Sequence, residues 1–145
     1  MDSLLKKAQL IAQNEDVSTP PNGAVVYSIS YMPSDENKKQ ALAFISENPT
    51  AKMLDDTPCG KALIALGLDG KVNEVGEEIT KIWRLASSRY IKAASGDIHA
   101  FVEGADKRST FCTTELAEIM QNKNITHING MDKELFFKDF KPKYY

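Results

Sequence analysis

Four short groups of residues in this chain carry side chains that are capable of chemistry. The segment Asp55–Thr57 places two carboxylates side by side, Glu115 follows two threonines, and Trp83 is the only tryptophan. The fourth group, Lys107–Thr110, combines two cations with two hydroxyls, a set that can bind a phosphate. Carboxylates can act in acid–base chemistry or stabilise a positive charge that develops during a reaction.

Each of these groups also has an ordinary structural explanation. An Asp-Asp-Thr segment ahead of a helix commonly caps the helix amides, and an acid at the position of Glu115 suits an exposed first helical turn. A segment such as Lys107–Thr110 suits a surface loop, and Trp83 lies on an apolar helix stripe. No single group therefore indicates a function by itself.

The sequence lacks the residues that several common types of catalytic site need. Two histidines, His99 and His127, and two distant cysteines, Cys59 and Cys112, give none of the close ligand pairs of a zinc site. The sequence has no glycine-rich phosphate loop and no Gly-x-Ser-x-Gly elbow of a serine hydrolase. Carboxylate chemistry, histidine chemistry or no catalysis at all remain open.

The composition is that of one globular domain that does not depend on disulfides. The chain has 145 residues, with 18 basic and 20 acidic side chains, so its net charge of −2 disfavours a general nucleic-acid binder. Two cysteines are too few for a secreted disulfide scaffold, which favours a reducing compartment. We find no apolar run of membrane-spanning length and no signal peptide, and we expect no membrane partner.

Hydrophobic periodicity and turn residues predict helices and strands that would position these groups. The longest predicted helix covers residues 77–95, ends at Gly96 and carries Trp83 and Tyr90 on its apolar stripe. The other predicted helices cover about 4–12, 33–48, 57–66 and 115–121, and the predicted strands 24–29, 98–102 and 125–128. A polar loop is expected at 106–111, and a strand or loop at 136–145.

These elements predict an α/β fold in a single domain that covers residues 1–145. A mainly helical N-terminal lobe, about 1–76, would pack on a small, mostly parallel sheet with flanking helices, about 77–145. Because the strands of the second half alternate with helices, a parallel arrangement is favoured.

Four motifs, in this order, resemble the ADP-ribosyl cyclase family of NAD glycohydrolases. Val25–Ser28 resembles an apolar-Trp-Ser strand, and Leu54–Gly60 resembles Leu-Glu-Asp-Thr-x-x-Gly. Ile82–Tyr90 is similar to the Trp-x-x-x-Ser-x-Arg-aromatic helix, and Ser109–Glu115 to Ser-Thr-Phe-x-x-x-Glu, whose Glu is catalytic in the family. The motifs extend from about Ala24 to Glu115, most of the chain.

The resemblance implies a role for each candidate residue and an ADP-ribosyl cyclase-like fold. Glu115 would be the catalytic carboxylate, Trp83 and Tyr27 would frame the nicotinamide and ribose, and Asp55 would lie near the nicotinamide. The remaining substrate-binding positions would be Ser28, Arg108, Ser109, Thr110 and Phe111, of which Ser109–Phe111 would form a phosphate-binding turn. The implied substrate is NAD or NADP, with no cofactor and no metal.

The sequence departs from the family pattern at several positions. Asp55 stands where the animal enzyme has Glu, Tyr27 where Trp is usual, and Ile29 where Arg often follows. The heavily disulfide-bonded animal members also contrast with this cysteine-poor chain. We expect mainly hydrolysis to ADP-ribose and nicotinamide, with cyclisation also possible.

A cysteine-poor NAD-cleaving domain suits the role of a bacterial toxin. We expect it to act in the cytoplasm of a target cell, as the C-terminal effector of a larger secreted or surface protein, and to be neutralised by a cognate immunity protein. Two alternatives stay open: a ribonuclease toxin that uses His99 and His127, and a non-catalytic nucleotide-binding or interaction domain.

Overall fold

The computed structural model describes residues 2–28, 36–67, 77–105 and 111–140. Within these ranges the helices are α1 (Asp2–Asn14), α2 (Glu36–Glu47), α3 (Pro58–Ala65), α4 (Glu77–Ala93), α5 (Leu116–Gln121) and α6 (Lys133–Asp139). The strands are β1 (Val25–Tyr27), β2 (Gly96–Phe101), β3 (Ile125–Ile128) and β4 (Met131–Asp132). A 3-10 turn covers Leu54–Asp56, and a π-helical turn covers Phe111–Glu115. The predicted α/β fold is confirmed.

The four strands form one sheet in the order β1-β2-β3-β4. The first three strands are parallel, with Val25 beside His99 and Ile98 beside Ile128, and β4 pairs antiparallel to β3. The short strand β4 was not expected from the sequence. Since the carboxyl ends of parallel strands meet at one edge of a sheet, the ends of β1, β2 and β3 lie together there.

Helix α4 supplies much of the core. Its predicted apolar stripe is confirmed, because Ile79, Ile82, Ala86 and Tyr90 are all buried. The helix is followed by Gly96, whose φ of 78° places it in the left-handed region that favours glycine. Because β2 begins where α4 ends, the first turns of α4 lie toward the carboxyl edge of the sheet.

An arginine joins α4 to the end of α1. The Arg89 guanidinium donates from Nη1 to the Ala12 carbonyl at 2.6 Å and from Nη2 to the Glu15 carbonyl at 2.9 Å. The last carbonyls of a helix have no partner within the helix, so this cation satisfies that of Ala12 and also holds the residue that follows the helix end, Glu15.

The C-terminal segment differs from the expectation of a strand or loop over 136–145. Residues Lys133–Asp139 form α6, because the Asp132 carboxylate accepts from the amides of Glu134 and Leu135 and so caps the helix. The rings of Phe136 and Phe140 stack at 5.7 Å, one helical turn apart. The local cap therefore favoured a helix where a strand or loop had been predicted. Residues 141–145 lie outside the described ranges.

We predict that Asp132→Ala will lower the free energy of unfolding by about 1 kcal/mol, because two amides at the start of α6 lose their acceptor. Urea unfolding followed by circular dichroism will measure the change. The matched control is Asp139→Ala at the opposite end of the same helix, where removal of an acid should not destabilise the chain. Equal losses in both variants would contradict the assigned cap.

Candidate active site

Glu115 ends the π-helical turn that leads into α5. The sequence had placed Phe111 in a polar loop and favoured an exposed position for Glu115 as the ordinary explanation, and both expectations are wrong. Phe111 is 1% exposed and starts the turn, and Glu115 is 8% exposed. The turn is fixed by packing, since the Phe111 ring meets the Phe140 ring edge-on at 5.7 Å. Single π-helical turns are rare and often occur at functional sites.

The surroundings of Glu115 favour its neutral form. Burial, followed by the negative charge of Asp55, raises the pKa of Glu115 from 4.5 to about 8. The structure thus brings together the two carboxyl groups that stand 60 positions apart in the sequence. A buried carboxyl group with a strongly raised pKa is a typical feature of an active site.

Asp55 is presented by a tightly fixed turn. The Asp56 carboxylate accepts from the Met53 amide at 3.1 Å, and the Thr57 hydroxyl donates to the Leu54 carbonyl at 2.6 Å. The same Thr57 hydroxyl oxygen accepts from the Gly60 amide at 3.2 Å and so caps α3. The predicted capping role of this segment is confirmed for Thr57. Asp55 lies in the middle of the 3-10 turn.

Gly60 allows the start of α3 to approach this turn. A Cβ at position 60 would overlap the Leu54 carbonyl oxygen and would stand 2.8 Å from the Asp55 Cα. Any larger residue would therefore push α3 and the Asp55 turn apart. This explains in physical terms why a glycine follows the Asp-Asp-Thr segment.

Helix α4 packs against both turns that carry the acids. Trp83, near its N-terminal end, is partly buried against the same core cluster that contains Leu54 and Phe111. The helix therefore links Trp83 to the elements of Asp55 and Glu115.

The end of β1 carries Tyr27 and Ser28. Ser28 is 2% exposed, and its amide donates to the Phe101 carbonyl at 3.1 Å. Tyr27 packs with Phe44 and Phe101, in a cluster on α2 that is separate from the one around Trp83. The two aromatic residues expected as pocket walls thus make their core contacts in different clusters.

Three predicted phosphate-binding residues, Arg108, Ser109 and Thr110, lie outside the described residues. Their neighbour Phe111 is described and is a core residue.

The two histidines lie on adjacent parallel strands, and each is engaged at one ring nitrogen. His99 Nε2 lies 2.9 Å from the Asn22 carbonyl, and its ring packs on Phe44 at 4.4 Å. His127 Nδ1 lies 2.9 Å from the Thr126 hydroxyl. His99 thus packs toward α2, whereas Phe111 and α4 belong to the other core cluster.

A cleft of about 550 Å³ lies beside the carboxyl ends of β2 and β3. It is bordered by α2 and α6, with Asn37, Glu103 and Phe140 among the lining residues, and none of the predicted site residues within the described ranges lines it. In the part of the chain that the structure describes, no group of three or more His, Cys, Asp or Glu side chains is placed to hold a metal ion. None of the helices formed by these residues has the length and apolar character needed to cross a membrane.

Sequence reasoning missed the hydrogen bonds of two buried side chains, Asn37 at this edge and Tyr90 near the C-terminal end of α4. Asn37 is 3% exposed and donates from Nδ2 to the carbonyls of Ser28, at 2.9 Å, and Glu103, at 3.0 Å, and so joins the ends of β1 and β2. Tyr90 was expected in the core, but its hydroxyl contacts were not foreseen. A polar Asn among helix residues carries no signal of such a role, because its partners lie far away in the sequence.

No protein-family model matches the sequence, and no curated protein matches it either. Solved structures do match. A porcine CD38 in complex with a covalent ribo-F-ribose-5′-phosphate intermediate superposes with a TM-score of 0.59 at 17% identity, over 86% of this chain and 66% of that one. An ADP-ribosyl cyclase variant in which a glutamate is replaced by alanine superposes with a TM-score of 0.56 at 18% identity, over 87% of this chain and 62% of that one. Aplysia cyclase, complexed with substrate NGD and product cGDPR, superposes with a TM-score of 0.56 at 16% identity, over 87% of this chain and 62% of that one.

The chain has the ADP-ribosyl cyclase fold. The resemblance inferred from the four motifs is therefore confirmed at the level of the fold. The chain spans slightly less than two thirds of the length of these structures, 62–66%. Within the matched part, Glu115 and Asp55 lie on turns that pack against one helix.

We predict that Glu115→Gln will stabilise the fold at neutral and alkaline pH. The pKa of Glu115 is higher in the folded chain than in the unfolded chain, so the protonated carboxyl group favours folding. This contribution to the free energy of unfolding is fully present below about pH 4.5 and is lost as the pH rises to about 8. The variant cannot ionise, so its advantage in free energy of unfolding should grow across this window, to the order of a few kcal/mol, and then level off. Urea unfolding at a series of pH values will measure it.

Two further variants identify the cause of the effect. Asp55→Asn removes the like charge, lowers the pKa of Glu115 and should move the upper end of the window to lower pH. Glu134→Gln, at an exposed position on α6, should leave the window unchanged. If the unsubstituted protein and Glu115→Gln showed the same dependence of stability on pH, the carboxyl group of Glu115 would not be buried as described.

Proposed function

We propose that this chain cleaves the bond between nicotinamide and ribose in NAD or NADP, mainly by hydrolysis to ADP-ribose and nicotinamide. The observation that carries the proposal is the burial of Glu115 beside Asp55 within the ADP-ribosyl cyclase fold. Supporting it, the matched Aplysia cyclase is complexed with substrate NGD and product cGDPR.

The chemistry needs a negative charge rather than a proton donor. Nicotinamide leaves as a neutral molecule and takes the electron pair of the broken bond, so the ribose is left with a positive, oxocarbenium-like character. We assign Glu115 to stabilise this charge and to accept hydrogen bonds from the ribose hydroxyls. Water then adds to the ribose carbon and releases a proton, and attack by the adenine of the same molecule instead would give a cyclic product.

The raised pKa of Glu115 fits a substrate whose reacting end, the nicotinamide ring with its ribose, is positively charged. A neutral, buried carboxyl group becomes ionised when a positive charge arrives beside it, because an opposite charge lowers the pKa of an acid. The carboxylate then acts in surroundings from which water is excluded, where its effect on the transition state is large. Asp55 would border the nicotinamide, with Trp83 on α4 as an aromatic wall, and Ser109–Phe111 would bind phosphate.

Incubation of the purified protein with NAD tests the proposal. We expect one nicotinamide for each NAD consumed, with ADP-ribose as the main product by chromatography. Glu115→Gln should lower kcat by about 100-fold or more, since it removes the charge but keeps the shape. Glu134→Gln, at an exposed glutamate, should retain full activity.

The other outcomes decide between the alternatives. Unchanged NAD at micromolar protein would exclude the proposal, and RNA breakdown that depends on His99 and His127 would favour a ribonuclease. Full activity in Glu115→Gln would show that a different carboxylate is responsible.

We further propose that the chain acts as an effector in the cytoplasm of a target cell, restrained by a cognate immunity protein. Support comes from the chemistry, because uncontrolled loss of NAD is toxic to the cell that contains the enzyme. Induced expression in bacterial cytoplasm should deplete NAD and stop growth, whereas Glu115→Gln expressed at the same level should do neither. Normal growth with an unchanged NAD pool would contradict this role.

A further inference from the structure

The hydroxyl of Tyr90 lies where three elements meet. Tyr90 is 1% exposed on α4, two helical turns after Trp83 and therefore on the same stripe. Its hydroxyl oxygen accepts from the Val25 amide at 2.9 Å. Two carbonyl oxygens lie within donor distance of this hydroxyl, that of Lys52, at the shorter distance, and that of Val25, at 2.9 Å.

The two residues that it contacts already form a bridge. Ala24 and Lys52 form an isolated parallel β-bridge, in which the Val25 amide donates to the Lys52 carbonyl at 3.1 Å and the Lys52 amide to the Gly23 carbonyl at 2.8 Å. A bridge of one residue has little resistance to sliding compared with a longer ladder. The phenol adds side-chain contacts that fix the spacing of both segments from α4.

Each contacted segment continues directly into a candidate site residue. Val25 stands two residues before Tyr27, and Lys52 three residues before Asp55, while Tyr90 shares its helix with Trp83. We propose that Tyr90 is a positioning residue that sets Asp55 against Glu115 by tying the Lys52 segment to α4. Its consequence for catalysis rests on the function proposed above, but its effect on the two acids does not.

The electrostatics around the phenol agree with this placement. Burial raises the pKa of Tyr90, and the negative charges of Glu115, Asp56 and Asp55 raise it further. The hydroxyl therefore stays protonated and keeps its donor role, and all three acids lie near enough to act on it.

The test compares Tyr90→Phe with Asn122→Ala. Phe keeps the ring that fills the core and removes only the hydroxyl. Asn122 binds the same C-terminal end of this helix from the side of α5, where its Nδ2 donates to the carbonyls of Ile91, at 2.8 Å, and Ala94, at 3.1 Å. Asn122→Ala therefore weakens the attachment of α4 without altering the Lys52 segment, and it controls for general loss of stability.

The main readout is the Glu115 pKa, from carboxyl carbon shifts in NMR spectra of the full chain. In Tyr90→Phe we expect it to fall by about 0.5 unit or more, because Asp55 relaxes away and repels the Glu115 charge less. In Asn122→Ala it should stay within about 0.2 unit of the parent. An unchanged value in Tyr90→Phe, or equal shifts in both variants, would overturn the proposal.

Kinetics with NAD supply the second readout. Tyr90→Phe should lower kcat by roughly 10-fold while KM changes less than about 3-fold, because a misplaced acid affects the transition state more than binding. The pH midpoint of kcat/KM should move in the direction of the NMR value. If the unsubstituted protein left NAD intact, the proposed function would be excluded. The NMR comparison would still decide the role of Tyr90.

Discussion

A carboxyl group buried beside a second carboxylate is the constraint on which this structure depends. Placing Glu115 out of water near Asp55 opposes folding at neutral pH, as the raised pKa shows. The free energy must be recovered from apolar burial elsewhere, and a core cluster that runs from α1 through α4 and the sheet to α5 supplies it. A site of this kind is less stable than a hydrophobic replacement would be, which is typical of groups kept for chemistry.

The two acids are held by the contacts of two short turns, both of which pack against α4. Asp55 is held by the Thr57 and Gly60 contacts within its turn, and Glu115 by the packing of Phe111 against α6. Since α4 packs against both turns, neither acid depends on a disulfide for its place. No disulfide joins the two described cysteines, Cys59 and Cys112.

The sequence predicted those parts of the structure that depend on local patterns. The stripe of α4, the Thr57 cap and the parallel strands follow from spacing and turn residues, and motif order was enough to indicate the fold. Local pattern alone favoured an exposed Glu115, because its burial depends on packing with distant elements, and only the family resemblance assigned it to a site. The helix at Lys133–Asp139 was missed, because it depends on one cap at Asp132. The hydroxyl contacts of Tyr90 could not be predicted, since the bridge that it joins forms between residues far apart in the chain.

The pairing of β1 with β2 also governs how such a chain must fold. Val25 lies beside His99, so the pairing of β1 with β2 closes a loop of about half the chain before its hydrogen bonds can form. Contacts between residues so distant in sequence slow folding, and they form late because little compensates the lost chain entropy beforehand. Asp55 and Trp83 lie inside that loop, and Glu115 lies beyond it. The site therefore assembles only with the whole domain, and a partly folded or truncated chain would carry the acids without bringing them together.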